Sequence, residues 1–274
     1  MTVETFPTAS VQELLTGRGL RLDDPTETYH EASRAYPGVV DPLVRGAQLL
    51  ERSDELRASA ARSVKRHRGV PTVSLPRPEL ADATLADALA GRRSLRSYGP
   101  RKLELAELAT LLGAAYGVTG AFEGAEQAVR TVPSGGALYP LELYVATRRV
   151  EGLDEALYHY DPLRHVLELL EPLDVESAVR DVTPFPELVC PSAAVVVVTA
   201  MFWRSRFKYG ARAYRFTLLE AGHVAQNILL AATALDLAAV PIGGFFDRRV
   251  DALVGADGLY EASLYVVPVG ARAG

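Results

Sequence analysis

Residues 193–200 read AAVVVVTA, and this run restricts the possible folds more than any other feature of the sequence. A strand with one face in water alternates apolar and polar side chains, whereas this run shows no alternation. It therefore predicts a central strand of a sheet that is covered on both faces. Helical and strand-like segments lie before and after it, so the order of elements favours a mixed α+β sheet sandwiched by helices.

Apolar periodicity and turn residues predict the positions of the other elements. Helices are predicted in the segment capped by Thr84, at Leu105–Tyr116 and, as the longest, at Arg215–Leu237. Strands are predicted at the half-buried stretch Leu141–Thr147, in a hairpin from Tyr158 to Leu170, and at Ser263–Val269.

The first 75 residues are predicted to form a helical N-terminal extension. Asp41-Pro42 opens its longer helix, because proline is tolerated in a first turn, and this helix runs towards His67. The basic run Arg62–Arg68 is either the solvated end of this helix or a partner site. Prolines at 71, 76 and 78 predict a linker. The predicted domains are therefore residues 1–75 and residues 76–274.

Composition and charge argue against several classes of function. The net charge is −5, whereas binding of duplex nucleic acid needs a clustered positive face. The longest apolar stretch, around Ile228 to Phe246, is too polar for a membrane span. Cys190 is the single cysteine, so no intrachain disulfide is possible and a cytoplasmic location is expected. The five histidines lack metal-ligand spacing, and no metal site is predicted.

A cluster of arginines follows the first helix after the prolines. Arg92, Arg93 and Arg96 place three guanidinium groups within five residues, with Ser94 between them. Guanidinium groups bind phosphate through paired hydrogen bonds, and a serine hydroxyl adds a donor. The cluster is thus either a phosphate site or a solvated helix end, where the helix dipole favours cations.

Two glycine loops allow the backbone to approach a ligand closely. Pro133–Pro140 (PSGGALYP) either contacts a flat ligand or only precedes the strand at Leu141. Pro241–Phe245 (PIGGF) either offers a backbone N–H to a redox-active ring or only stops the long helix.

Lys208 and Tyr209 are adjacent in the segment RFKYG. A cation stabilises a phenolate, and either group acts as a general base when it is removed from water. The alternative is a basic surface segment with a packing aromatic side chain.

Four motifs occur in the order RRSxRxY, PSGGALYP, KYGxRAYRFxLLEAGHxAQN and PIGGFxD. In this order they resemble the nitroreductase superfamily and, within it, the SagB-type dehydrogenases, the FMN-dependent azoline oxidases of ribosomal peptide biosynthesis. The motifs cover residues 84–270, and Thr28–Arg34 is similar to the segment upstream of the core in SagB-type proteins. The resemblance implies a nitroreductase-like α+β fold with a mixed, mainly antiparallel sheet, built as an intertwined homodimer with FMN at the interface.

The resemblance also implies roles for individual residues. Those matching the contacts to the flavin phosphate and ribityl chain are Arg92, Arg93, Ser94 and Arg96, with Arg272 as a further phosphate ligand. Those matching the loop from the other subunit are Pro133, Ser134, Gly135 and Gly136. Those matching the backbone beside the flavin N5 are Pro241, Ile242, Gly243 and Gly244. Lys208 and Tyr209 match the Lys-Tyr pair that azoline oxidases need.

The implied activity is oxidation of peptide thiazolines or oxazolines to azoles, in which Lys208 or Tyr209 takes a proton and FMN takes a hydride. The implied partners are a peptide substrate, a cyclodehydratase and a leader-peptide-binding protein. One alternative is an oxidoreductase with another substrate: an NAD(P)H-dependent nitroreductase or quinone reductase, or an FMN oxidase of another peptide or a cyclic dipeptide. A further alternative is a non-enzymatic scaffold subunit.

Overall fold

The structure is a computed structural model that describes residues 25–34, 46, 48–50, 52–61, 63–80, 82–121 and 127–274. Met1–Val40 and Asp41–Gly274 form two separate compact units. In the first unit, helix α1 (Pro25–Ala32) is followed by Ser33, whose hydroxyl donates to the Tyr29 carbonyl at 2.6 Å. The helix start predicted at Asp41-Pro42 lies outside the described residues.

The second unit contains the other helices and all the described strands. Its helices are α2 (Asp54–Ala61), α3 (Leu85–Gly91), α4 (Leu105–Tyr116), α5 (Val175–Asp181), α6 (Pro186–Val189), α7 (Trp203–Tyr209), α8 (Arg212–Ala234) and α9 (Asp247–Leu253). Its strands are β1 (Thr72–Ser74), β2 (Val118–Ala121), β3 (Ala128–Arg130), β4 (Leu141–Thr147), β5 (Ala156–Asp161), β6 (Val166–Pro172), β7 (Ala194–Met201), β8 (Leu237–Ala239) and β9 (Glu261–Ala271).

Seven of these strands form one sheet in the order β1-β6-β5-β4-β7-β9-β8, and neighbouring strands pair antiparallel. β7 lies inside the sheet and is buried except at Met201, which confirms the central strand predicted from the valine run. β4 pairs with β7 from Leu141 to Thr147. It is buried at every position, so the prediction of a half-buried strand was wrong. Its polar side chains Glu142 and Tyr144 point to the other face of the sheet, which is also covered.

Helices cover both faces of the sheet, as predicted. On one face α4 and α8 pack through leucine, valine and isoleucine side chains that include Leu112 and Ile228. On the other face α5, α6 and α9 contribute Val179, Val189 and Val250. Burial of such side chains contributes about 1.5–3 kcal/mol each, so the two apolar layers supply much of the driving force for folding.

The predicted helix ends are partly correct. Thr84 caps α3 as predicted, with a reciprocal bond to Asp87. The long helix α8 ends at Ala234 rather than Leu237, because Asp236 has a positive φ of 52° and β8 follows at once. Pro241–Phe245 therefore comes after a strand and does not stop the helix. Among the described helices, none has the length and apolarity needed to cross a bilayer.

The segment before β1 differs from its prediction. The helix predicted to reach His67 ends at Ala61, and the described residues 63–70 are not helical. Lys65 donates its backbone N–H to Glu142 at 2.7 Å and its ammonium group to Glu261 at 2.8 Å. The interpretation of this basic run as a solvated helix end was wrong, because buried carboxylates on the sheet attract it. Residues 72–74 form an edge strand rather than a linker, and the boundary at residue 75 stays a prediction.

Candidate functional site

Lys208 and Tyr209 form the C-terminal end of α7. The helix stops there because Gly210 adopts a φ of 54°, while its N–H still bonds the Arg206 carbonyl. The Tyr209 ring packs edge-on against Phe216 of α8, with 5.1 Å between ring centres. The Lys208 ammonium group lies 5.2 Å from the centre of the Tyr209 ring. Both side chains are half-buried, so the pair is held in place and remains accessible.

The serine–glycine loop (Pro133–Tyr139) holds an unusual backbone conformation. Gly136, Ala137 and Tyr139 have positive φ values of 65°, 52° and 44°. Such conformations cost about 1–3 kcal/mol for a residue other than glycine and persist only where the surroundings enforce them. The Tyr139 N–H donates to the Ser134 hydroxyl at 2.9 Å, and the Tyr139 hydroxyl accepts from the Arg130 N–H at 3.1 Å.

The structure brings this loop and the Lys208-Tyr209 pair together. A Cβ added to Gly136 would lie 2.5 Å from the Tyr209 hydroxyl oxygen and 2.6 Å from the Lys208 Nζ. Both candidate reactive atoms therefore converge on the Cα of Gly136, where a side chain would have to displace them. A Cβ at Gly135 would lie 3.3 Å from Phe216. The positive φ of 65° at Gly136 also favours glycine at that position.

A cavity of about 380 Å³ opens beside this convergence point. Its lining includes Ser134, Gly135, Tyr209 and Glu220. Glu220 was not among the site residues predicted from the sequence. It lies on the buried face of α8 together with Thr217 and Ala221. Burial raises the pKa of Glu220 to about 7, against the opposing effect of hydrogen bonds from the Ser134 and Tyr116 hydroxyls.

The arginine cluster (Arg92, Arg93 and Arg96) lies in the extended segment after α3. Leu95 in this segment donates its N–H to the carbonyl of Ala239 in β8 at 3.1 Å. Arg93 and Arg96 are exposed, and their guanidinium groups bond only nearby backbone carbonyls. Within the described part of the chain, no carboxylate forms an ion pair with any of the three arginines. The cluster is therefore open to an external anion.

Arg272 follows β9 and lies beside the segment that carries the arginine cluster. It forms an isolated β-bridge with Tyr98, and it pairs with Asp236 at 3.0 Å on the exposed surface. The bridge places the backbone of Arg272 next to a residue two positions after Arg96. The Arg272 side chain already has an acidic partner in Asp236.

The second glycine loop (Pro241–Gly244) starts two residues after β8. Ile242 exchanges two backbone hydrogen bonds with Val266 of β9, at 2.8 and 3.1 Å. Gly243 is exposed, and an added Cβ there would meet no atom within 4 Å. Ala239 and Gly243 are four residues apart, a span of up to about 13 Å for extended chain. The arginine cluster and this loop are therefore close enough to contact the two ends of one elongated ligand.

The two groups of candidate residues lie at opposite ends of α8. Gly91, beside the arginine cluster, approaches Thr233 near the C-terminus of α8, with 3.4 Å between an added Cβ and the Thr233 methyl group. Tyr209 and the serine–glycine loop contact Phe216 near the N-terminus. At 1.5 Å per residue, Phe216 and Thr233 are about 25 Å apart along the helix.

A buried acid–histidine cluster (Glu142, His159 and Glu168) lies on the face of the sheet under residues 63–68. His159 is bonded to Glu142 at 2.8 Å and to Glu168 at 3.0 Å. Burial lowers the pKa of His159, but the two glutamates outweigh burial and raise it to about 9. Burial raises the pKa of Glu142, but Arg204 at 2.5 Å and His159 lower it to about 2.

Two members of this cluster, His159 and Glu168, form together with His67 the one group of potential metal ligands found among the described residues. Ligand atoms of His67, His159 and Glu168 lie within 4.8 Å of one another. This group was not predicted from the sequence, because the two histidines are far apart in the chain. Both ring nitrogens of His159 already bond glutamates, so a metal ion would have to displace a hydrogen bond.

The sequence is similar to several known proteins. Residues 89–271 match the Nitroreductase family. A protein of Methanocaldococcus jannaschii assigned to the nitroreductases is 37% identical over 203 residues, covering 73% of this chain and 98% of that protein. The microcin B17-processing protein McbC of Escherichia coli is 32% identical over 143 residues, covering 50% of this chain and 52% of McbC.

A solved structure shows the same fold. The E. coli microcin synthetase McbBCD complex with truncated pro-MccB17 bound has a chain that superposes with a TM-score of 0.58 at 24% identity, covering 94% of this chain and 100% of that chain. The predicted nitroreductase-like fold is therefore confirmed, and the resemblance to peptide-processing members is confirmed by McbC. The chain belongs to the nitroreductase family.

Proposed function

We propose that this protein is an FMN-dependent dehydrogenase that oxidises peptide azolines to azoles. The observation that carries the proposal is the convergence of Tyr209 Oη and Lys208 Nζ on Gly136. A reductase that only passes electrons from a nicotinamide to a nitro group needs no such pair of proton-transfer groups. The similarity to McbC, a microcin-processing protein, supports a peptide substrate.

The residues present fit FMN as the cofactor. The arginine cluster offers exposed guanidinium groups without acidic partners among the described residues, and these bind phosphate well. Gly243 leaves the backbone of the second glycine loop open to a flat ring. When bound, FMN would supply a two-electron acceptor for the hydride. We assign the phosphate to Arg92, Arg93, Ser94 and Arg96, and the ring to Pro241–Gly244, with Arg272 as a further phosphate ligand.

The chain itself supplies the proton transfer. Aromatisation of an azoline removes a hydride from one ring carbon and a proton from its neighbour. We assign the proton to Tyr209 Oη, with the Lys208 ammonium group stabilising the phenolate that accepts it. The substrate ring would lie beside these atoms in the cavity of about 380 Å³ that Ser134, Gly135 and Tyr209 line.

We further propose that the active form is a homodimer in which each site combines residues of two chains. The arginine cluster and Tyr209 of one chain lie near opposite ends of α8, about 25 Å apart along the helix axis, which favours a site that takes its arginines from one chain and its Lys-Tyr pair from the other. The exposed side chains Leu218 and Leu219 on α8 add an apolar surface that a second copy would cover. The resemblance to SagB-type dehydrogenases implies a cyclodehydratase and a leader-peptide-binding protein, and these are the proposed partners.

Mixing two inactive variants is expected to restore activity. In a dimer of one Arg93→Glu chain and one Tyr209→Phe chain, one site carries both changes and the other carries neither. Mixed dimers isolated through both tags should therefore give about half of the wild-type rate, because one of their two sites is intact. The measurement is the azoline oxidation rate of co-expressed, doubly tagged dimers.

The matched control mixes Lys208→Ala with Tyr209→Phe. These residues lie in the same half of the site, so every mixed site keeps one defect and no activity should return. Recovery in neither mixture would contradict the composite site and would place all the residues in one chain.

The proposed reaction is tested on the purified protein by absorbance. Flavin bands should be present, and anaerobic addition of a thiazoline-containing peptide should bleach them while each oxidised ring loses two hydrogen atoms by mass. Bleaching by NAD(P)H without turnover of azoline peptides would favour the nitroreductase or quinone reductase alternative. A colourless protein that binds no added FMN would contradict both.

A further inference from the structure

Glu220 is a buried carboxyl group in the wall of the candidate active site. Its side chain is on α8, and the residue is 2% exposed. It lines the cavity of about 380 Å³ together with Ser134, Gly135 and Tyr209. A carboxyl group removed from water in this way is costly unless hydrogen bonds or a function compensate for it.

Hydrogen bonds to Glu220 join three parts of the fold. The Tyr116 hydroxyl of α4 donates to Glu220 Oε1 at 2.7 Å and accepts from the Leu141 N–H at 3.2 Å. The Ser134 hydroxyl of the serine–glycine loop lines the same cavity, and it lowers the pKa of the Glu220 carboxyl group as a hydrogen-bond donor. Ser134 in turn accepts from the Tyr139 N–H at 2.9 Å. Ionised Glu220 is therefore the anchor on α8 for a loop that has an unfavourable backbone conformation.

The groups that face Glu220 determine when it is ionised. Burial raises its pKa to about 7, whereas the hydroxyls of Ser134 and Tyr116 and the guanidinium group of Arg130 lower it. Arg130 of β3 lies 4.2 Å from the centre of the Tyr116 ring. Burial and the Glu220 charge raise the pKa of Tyr116 well above its ordinary value, so Tyr116 stays a donor. Tyr209 from α7 and His223 from α8 complete the surroundings.

We propose that Glu220 is a positioning residue that holds the serine–glycine loop against Lys208 and Tyr209 through the hydroxyl of Ser134. In the ionised form it accepts from two hydroxyls and keeps Gly136 at the convergence point. In the protonated form it is a weaker acceptor, and the loop loses its anchor. The inference rests on the proposed function for its catalytic consequence, but the anchoring itself does not depend on the substrate.

Ionisation of Glu220 also has a defined effect on the stability of the fold. The folded pKa of about 7 lies above the ordinary 4.5, so stability is fully present below the ordinary value and is lost as the pH rises through 7. The ionised form that anchors the loop is thus the form that destabilises the fold. A residue retained in spite of such a cost is typical of functional sites.

The test is Glu220→Gln, with Glu171→Gln on the exposed end of β6 as the matched control. In the wild type, kcat should fall as the pH drops through about 7. In Glu220→Gln this acid limb should vanish, with kcat above neutral pH about ten- to a hundredfold lower and KM little changed. The variant should also unfold at a higher temperature than the wild type above neutral pH, and the loop amides at 134–139 should exchange hydrogen faster.

Each readout can overturn the inference. An acid limb that persists in Glu220→Gln, or loop exchange equal to the wild type, would contradict the anchoring role. If Glu220→Gln does not fold, Ser134→Ala removes the same bond from the other side and should give the same exchange result. If the wild type fails to oxidise azolines, the proposed function fails, but the exchange and unfolding measurements still test the anchoring role of Glu220, so the two failures are distinguishable.

Discussion

Tyr209→Phe is expected to lower azoline oxidation at least about a hundredfold, because a general base contributes on this scale. The change removes only the hydroxyl group, whose oxygen lies at the convergence point beside Gly136. The edge-on contact of the ring with Phe216 remains, so the fold and the cavity should be retained. Bound FMN should stay at the wild-type level, since we assign its phosphate to residues at the other end of α8.

Lys208→Ala is expected to have a similar effect for an electrostatic reason. Its ammonium group and the Tyr209 hydroxyl oxygen lie 2.6 and 2.5 Å from the position of a Cβ at Gly136, so its removal takes away a cation close to the proposed phenolate. The measurement is the steady-state rate and the flavin content of each variant. Tyr260→Phe and Lys102→Ala, on exposed parts of the chain, are the matched controls and should keep full rates. Wild-type turnover in both Tyr209→Phe and Lys208→Ala would remove the catalytic assignment.

His159→Ala is expected to destabilise the fold by about 3–5 kcal/mol, the usual cost of breaking a buried ion pair. His159 is fully buried between two glutamates, and its loss leaves both carboxylates without their shared partner. Denaturant unfolding measured near pH 6 should show the decrease directly. His165→Gln, a half-buried histidine in the same hairpin, is the control and should cost about 1 kcal/mol, since it changes neutral hydrogen bonds.

The same histidine should give the stability a specific pH dependence. Its folded pKa of about 9 lies above the ordinary 6.5, so its contribution is fully present below pH 6.5 and is lost as the pH rises through 9. The shift corresponds to about 3 kcal/mol. Glu142 stays ionised throughout this range because its pKa is lowered to about 2. His159→Gln should therefore flatten the slope, and an unchanged slope would show that His159 is neutral in the folded protein.

Local patterns in the sequence predicted most of the regular structure. The valine run of β7, the capping pair at Thr84 and the hairpin around Asp161 were correct because each depends on neighbours within a few residues. The burial of β4 was predicted wrongly because an alternation of apolar and polar residues does not show whether the polar face of a strand meets solvent or is covered by other polar groups of the protein. Glu142 and Tyr144 looked like exposed residues, yet they bond Lys65 from a distant segment.

The sequence by itself determined the family of motifs, the α+β class and the identity of the Lys-Tyr pair, because these depend on residue type and order. Only the tertiary structure decided which motifs meet. It brings Gly136 to Lys208 and Tyr209, and the backbone of Arg272 to Tyr98 beside the arginine cluster, through contacts between segments far apart in the chain. It also separates these two groups by the length of α8, because a helix of 23 residues is rigid and straight enough to fix that distance. The order of the motifs along the sequence does not give this separation in space.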